Sequence, residues 1–396
     1  MRVLLNGLAA LKPKTGVGHH VADLFAALSV TGQDDHFTLY PGELLGKAAR
    51  SLRTARPAAG PPAPARPRPF RDWLARSAKS AAIAASQVHF AGFTRAFRFD
   101  LYHEPNFVPF PSPLPTVITV HDLSVLKFPQ WHPADRVKQH QKHFLRGLGK
   151  AEHVIVVSEA VRQELIDELN CPPNRVTAVH NGVGPQYTPQ PADEVARVRR
   201  AYELPEKFFL CVGTIEPRKN LTAAMAAFVG LPPAVRAACP LVLVGPWGWR
   251  SDAERELYET QGRAAGVRHI GYVPAADLPA VYSAARVLVY PSHYEGFGLP
   301  PVEMLACGGA VLASTADAVR EVVSGHAWFV DAADVGGWKD ALERAATDDD
   351  FLNRLRTNGP RLAAKYTWGR AAADTRRVYA RVLGQSLPEV GERKAA

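Results

Sequence analysis

Phe208-Phe209-Leu210-Cys211-Val212-Gly213-Thr214-Ile215-Glu216-Pro217-Arg218-Lys219-Asn220 decides the architecture. Its first five residues are an unbroken apolar run, as in a strand buried on both faces, and a helical pattern follows over Leu221–Val229. Working outward, further strand-like runs fall at Arg2–Asn6, Phe37–Tyr40, Thr116–Val120, Val154–Val157, Val176–Val179, Leu241–Val244, Val287–Tyr290 and Ala310–Ala313. Helical stretches lie between many of them, at Gly18–Val30, Glu159–Leu169, Asp252–Ala265, Asp277–Ala284 and Val302–Ala306. Repeated β-α-β order predicts an α/β protein built from parallel, doubly wound sheets.

A chain of 396 residues has material for more than one such unit. Pro185, Pro189 and Pro191 follow Asn181-Gly182-Val183-Gly184 and mark a boundary, so residues 1–184 and 192–365 are each read as one doubly wound domain. Ligands in such folds sit beyond the carboxyl ends of the strands, and two facing domains would share one cleft. Residues 366–396 are read as a last helix over Trp368–Leu383 and a polar tail.

Hydrophobic residues at 47% and charged residues at 21% exclude wholesale disorder, and no apolar run approaches the ~18 residues of a membrane span. Met1–Leu11 is apolar, but it lacks a basic leader and is interrupted by Asn6 and Gly7. It is read as a buried strand rather than an export signal, which makes the protein cytoplasmic. Cys171, Cys211, Cys239 and Cys307 have neither disulfide nor zinc spacing and are read as buried small hydrophobes. The net charge of +9 is concentrated between Lys47 and Lys79, where nine cations face one acid among six prolines. This insert is either a solvated linker or a patch for an anionic lipid surface or acceptor. A nucleic-acid-binding role is set aside, because the charge is confined to one stretch and no aromatic RNA-binding motif accompanies it.

The chemistry gathers at strand ends. Arg218 and Lys219, beyond Gly213, stand where a bound diphosphate would be neutralised, with Asn220 expected to cap the next helix. In Pro291-Ser292-His293-Tyr294-Glu295-Gly296-Phe297-Gly298-Leu299-Pro300-Pro301-Val302-Glu303, Gly296 and Gly298 permit close backbone approach, and the helix that follows presents free N–H groups to the cleft. Glu295 and Glu303 flank that anion site; a carboxylate beside a diphosphate would be repelled, so both are expected to accept hydrogen bonds from sugar hydroxyls. In the first half, Thr116–Val120 runs into His121, expected to meet a reacting sugar, with Asp122 orienting it. Gly16 opens the first helix, but Val21 stands where a dinucleotide fingerprint would place its third glycine.

Together, the Gly213–Asn220 motif and Glu295-x7-Glu303 resemble the retaining glycosyltransferases of family 4, of GT-B fold. Val120-His121-Asp122-Leu123, Ser158-Glu159-Ala160, His180-Asn181-Gly182-Val183 and Ala306-Cys307-Gly308-Gly309 support the resemblance, which covers nearly the whole chain. It departs at the basic insert, and at Gly309-Ala310 where a Gly/Thr-Pro pair is usual.

The resemblance implies two Rossmann-like domains facing across a cleft, an acceptor-side first domain, a nucleotide-sugar-binding second domain and a C-terminal crossover helix. It makes Arg218 and Lys219 the diphosphate cations and Gly296, Phe297, Gly298 and Leu299 the loop whose amides meet the donor. Glu295 would hold the donor sugar, Glu303 the ribose, and Tyr272-Val273 the nucleobase. His121 would lie near the reacting sugar, and Gly16 near the phosphate. The implied activity is retaining transfer of a hexose from a nucleotide-diphosphate sugar, without a metal or other cofactor, to a glycan or polyprenyl-linked acceptor in cell-envelope polysaccharide synthesis. The Glu-Pro-Arg-Lys-Asn form is similar to that of bacterial mannosyltransferases and favours GDP-mannose; a UDP-glucose donor is the alternative. A GT-B-like epimerase, or another nucleotide enzyme, would explain the sheets but not the paired motifs.

Overall fold

The computed structural model describes residues 1–11, 16–31, 34–41, 85–323 and 325–386. The basic insert at 47–79 and the end of the chain from residue 387 lie outside the described residues.

Among the described residues two parallel six-stranded sheets form the frame. The first joins β1 (Arg2–Asn6), β2 (His36–Tyr40), β3 (Leu101–Glu104), β4 (Thr116–Val120), β5 (His153–Val156) and β6 (Val176–Ala178) in the order β2-β1-β3-β4-β5-β6. The second joins β7 (Phe209–Val212), β8 (Leu241–Val244), β9 (Arg268–Gly271), β10 (Val287–Tyr290), β11 (Val311–Ser314) and β12 (Trp328–Val330) in the order β12-β11-β10-β7-β8-β9. The doubly wound expectation therefore holds. In each sheet the order reverses beside the first strand, between β1 and β3 and between β7 and β10, and the crevice beyond such a reversal is the natural ligand position.

The strands follow their composition. Every residue of β4, β8 and β10 is buried, as expected of apolar runs covered by helices on both faces. β3 and β9 add strands that their polar content hides from a pattern reading, and β12 one that is only three residues long. Tyr102 and His103 sit in β3 fully buried because distant groups satisfy them; His103 Nδ1 is bonded to the Tyr379 hydroxyl at 2.6 Å and Nε2 to Thr119 at 2.8 Å. The helical pattern over Asp252–Ala265 becomes one continuous coil of helix whose middle, Tyr258–Gly262, widens to a π turn.

The helix Trp368–Val382 packs on the first sheet. Its N-cap is Thr367, whose side chain accepts from the Arg370 amide. Ala371, Ala372, Val378 and Tyr379 share a buried cluster with Val3, Leu5, Leu24 and Leu28, and Arg376 pairs with Asp35 at 2.6 Å. The four cysteines are free and buried, as their scatter suggested.

Candidate active site

The carboxyl ends of both sheets face one cleft of about 2710 Å³. Gly16, His121, Asp122, Gly213, Arg218, Lys219, Tyr272, Val273, Glu295, Phe297, Gly298, Leu299 and Glu303 all line it, so residues far apart in sequence share one wall system.

On the second domain, the chain leaving β7 makes a short 3₁₀ turn over Pro217–Lys219. That turn aims both cations at the loop after β10. Arg218 Nη1 donates to Glu295 Oε2 at 2.6 Å and to the Tyr294 carbonyl at 2.9 Å, while Nη2 donates to Glu216 at 2.7 Å. Lys219 Nζ donates to Glu295 Oε1 at 2.6 Å and to the Tyr290 hydroxyl at 3.0 Å. Burial alone would push the Glu295 carboxyl up, but Arg218 and then Lys219 outweigh it and hold the group at about 2. Glu295 therefore stands directly against the two cations, closer to the would-be diphosphate than electrostatic repulsion suggested. Two carboxylates balance two cations here, which locks the direction of each positive group and leaves little net charge.

Asn220 does not cap the helix through its side chain. Its backbone is left-handed, and its Nδ2 donates to the carbonyls of Pro291 at 3.0 Å and Ala332 at 2.7 Å, tying the β7 loop to the loops after β10 and β12. The expected cap is corrected to a cross-loop tie.

The loop after β10 ends at Gly298, whose left-handed φ of 102° starts the helix Leu299–Ala306 with Pro300 and Pro301 in its first turn. Pro300 and Pro301 carry no N–H, so the free amides of this end are those of Gly298 and Leu299, residues that line the cleft. Gly296 meets the other domain: a Cβ there would collide with the His121 carbonyl. Ser158 reinforces this seam, since its hydroxyl donates to the Gly296 carbonyl at 2.7 Å and accepts from the Val161 amide. Glu303, one helix turn inside, accepts from the Tyr282 hydroxyl at 2.8 Å, and burial raises its carboxyl to about 7. Tyr272 is 63% exposed at the rim, with Val273 buried behind it.

On the first domain, His121 follows β4. Its Nε2 is bonded to the Pro105 carbonyl at 2.9 Å, which fixes the proton on Nε2. The expected orienting role of Asp122 is corrected: its Oδ1 accepts instead from the amide and hydroxyl of Ser124 at 2.9 and 2.7 Å. Burial opposes the charge on Asp122, but Arg218 across the cleft and then Ser124 keep the carboxyl below its ordinary value. Burial lowers His121, only partly offset by Pro105 and Asp122, so the ring is neutral near pH 7. His20, one turn into the helix Gly16–Thr31, meets His121 edge-on at 4.6 Å.

Several cleft residues were missed in the sequence. Asn6 and Glu104 end β1 and β3 at the strand-order reversal of the first sheet, and Asn6 Nδ2 donates to Glu104 Oε2 at 2.6 Å. Tyr102 and the Asn106 amide also donate to Glu104, yet burial pushes its carboxyl up to about 8. The helix Ala134–Lys150 was missed as well, although Phe144 and Leu148, four apart and both buried, carry a helical signal. Only the reversal rule applied to an already recognised first sheet would have pointed to Asn6 and Glu104.

The arrangement can hold a doubly anionic group between cations and a helix terminus, and place a neutral imidazole and a carboxylate opposite it. Comparison with known proteins gives the family. Residues 15–187 match the model named Glycosyltransferase Family 4, and residues 194–362 match that of the glycosyl transferases group 1. O-antigen chain mannosyltransferase B of Escherichia coli is 34% identical over 287 residues, which are 72% of this chain and 75% of that protein. The serotype-specific mannosyltransferase WbdA of Escherichia coli is 30% identical over 269 residues; these are 66% of this chain but 32% of that longer protein. Among solved structures, the sucrose-phosphate synthase of Thermosynechococcus elongatus superposes with a TM-score of 0.71 at 20% identity, covering 98% of this chain and 100% of its own. At that identity the likeness concerns the fold, which is GT-B.

Proposed function

The chain belongs to the family 4 and group 1 glycosyltransferases, and from that premise we propose that this hexosyltransferase moves a mannosyl group from GDP-mannose, with retention at the anomeric carbon, to a glycan or polyprenyl-linked acceptor in cell-envelope polysaccharide synthesis. The observation that carries the reading is the convergence of Arg218, Lys219 and the start of the helix Leu299–Ala306 on one side of a cleft whose other side holds His121. The mannosyl choice is supported by similarity to O-antigen chain mannosyltransferase B.

In this mechanism the diphosphate lies between the two cations and the helix amides, and charge accumulating on it as the glycosidic bond breaks is stabilised without reorganisation. Glu295 and Glu216 act as positioning residues, holding the guanidinium and ammonium in place. Glu303 would meet the ribose and Tyr272-Val273 the base, a reading supported by all three lining the cleft. The two carboxylates at the seam are not poised to attack the anomeric carbon from the far side: Glu295 is engaged by two cations and Asp122 by Ser124. The acceptor hydroxyl then attacks on the face the diphosphate leaves, and the diphosphate takes its proton.

Working without a metal, the enzyme would be cytoplasmic and would meet a lipid-linked acceptor at the inner face of the membrane. No helix among the described residues is long and apolar enough to cross a membrane. The test is a panel of GDP- and UDP-sugars with anomeric analysis of the product. GDP-mannose should turn over at least tenfold faster than UDP-glucose and give the α-linked product. Preference for UDP-glucose rejects the donor, and an inverted product rejects the stereochemistry.

A further inference from the structure

The cleft continues past the catalytic seam along the N-terminal side of the helix Ala134–Lys150, and there the hydrogen-bond accounting fails. His132 is only 2% exposed and lines the cleft, yet neither of its ring nitrogens has a partner among the described residues. His140, two turns along the helix, also lines the cleft, with its Nε2 buried and without a partner among the described residues. Buried polar groups are nearly always paired, and two imidazoles left open in one pocket call for a ligand. His140 is locked from behind, stacked on Phe144 at 4.8 Å and edge-on to Phe107 at 5.2 Å. Phe107 itself takes a left-handed φ of 61°, which an aromatic residue adopts only under constraint, and its ring meets both His140 and His121 edge-on.

Both domains build this pocket. The backbone carbonyls of Trp131 and His132 accept from Trp249 Nε1 and Arg250 Nη1 of the second domain, both at 3.1 Å. The Arg136 guanidinium lies over the Trp249 ring at 4.8 Å and closes the rim. We infer that His132 and His140 form the subsite for the acceptor sugar, each imidazole pairing with hydroxyls of an uncharged hexose unit next to the transfer point. This rests on reading the cleft as a hexosyltransferase site.

The chemistry favours hydroxyls over phosphate. Burial, followed by Arg136, lowers His132 to about 4, so its ring is neutral and offers one N–H and one lone pair. A hydroxyl both donates and accepts and satisfies the two. A phosphate oxygen only accepts and would leave the lone pair facing an anion. The position suits transfer, because Asp122 and Arg218 both act electrostatically on His132.

The experiment measures equilibrium binding of methyl α-mannobioside to the full chain in the presence of GDP, by saturation-transfer NMR and calorimetry. His132→Ala should weaken the disaccharide at least fivefold while GDP binds within twofold of wild type. His132→Asn, which keeps a donor and an acceptor, should recover part of the loss. His140→Ala should act in the same direction, and its ring can be removed without touching the domain seam if the first variant fails to fold. Unchanged disaccharide affinity in both alanine variants, or a loss of GDP binding equal to the loss of sugar binding, overturns the subsite. Histidine-dependent binding in a chain that does not turn over GDP-mannose keeps the subsite and overturns only the donor.

Discussion

Glu295 and Arg218 are joined at 2.6 Å across the two loops that follow β10 and β7, and the other oxygen of the same carboxylate holds Lys219 at the same distance. The contact sets what the cations do: they are aimed before any ligand arrives, so little reorganisation accompanies charge build-up on a leaving diphosphate.

Arg218→Ala and Lys219→Ala should each lose about 2–4 kcal/mol of transition-state stabilisation, the range for one preorganised charge donor in a desolvated site. The signature is a fall in kcat that exceeds the weakening of GDP binding. Glu295→Gln should also slow turnover, because both cations lose their guide. Variants of Arg218 and Lys219 with wild-type kcat would remove the diphosphate from this position.

Turnover should survive a chelator. The carboxylates nearest the cations are committed to Arg218, Lys219 and Ser124, and a divalent ion would have to displace them. The acidic run Asp348-Asp349-Asp350 serves helix structure, with Asp348 accepting from the Phe351 amide and Asp349 pairing with Arg286. Rates in EDTA should stay within twofold of those in Mg²⁺, and a chelator-dependent loss restored by the ion would refute the prediction.

What could be read in the sequence follows from which interactions are local. β4, β8 and β10 are β-branched or apolar runs buried along their whole length and are placed to the residue by the sequence, as is the helix Glu159–Leu169. β3 was invisible because His103 and Glu104 look like surface residues until Tyr379 and Asn6 are brought to them by the fold. The same limit applies to the site. Arg218, Lys219 and Glu295 were each legible from strand-end position, but their mutual neutralisation is a contact between loops 77 residues apart. His132, in Trp131-His132-Pro133, reads as loop, and only the burial of both its nitrogens singles it out.

Glu104 should give the fold a pH signature. In the unfolded chain its carboxyl ionises near the ordinary value of 4.5, and in the fold burial moves it up to about 8. Between those values the native state holds a proton that the unfolded state has released, so stability falls as pH rises through this window. Glu104→Gln removes that titration. From pH 5 to pH 8 the stability difference between the two proteins, read from urea unfolding, should shift in favour of the variant by on the order of 3 kcal/mol at most. Parallel pH profiles would mean that Asn6, Tyr102 and Asn106 keep Glu104 ionised throughout.

The domains are held together by a carboxylate that completes a helix in the other half. Glu321, on the helix Asp317–Val323 of the second domain, accepts from the Glu159 amide at 3.0 Å and the Ala160 amide at 2.9 Å, the first turn of a first-domain helix; His180 is bonded to it at 2.6 Å. A side chain that caps a helix typically contributes about 1–2 kcal/mol, here spent on keeping two domains closed. Burial opposes the charge of Glu321, but His180 and the two amides prevail and hold its carboxyl below the ordinary value. A depressed carboxyl stabilises above its unfolded pKa and loses that contribution as pH falls through the folded one, so the clamp should hold across neutral pH and weaken only in acid, below the ordinary carboxylate range. Glu321→Ala should open the molecule at pH 7, seen as a larger radius of gyration in small-angle scattering without GDP, and should weaken GDP severalfold by adding a closing step to binding. Scattering curves and GDP affinities indistinguishable from wild type would show that the seam at Ser158 and Gly296 closes the domains without the clamp.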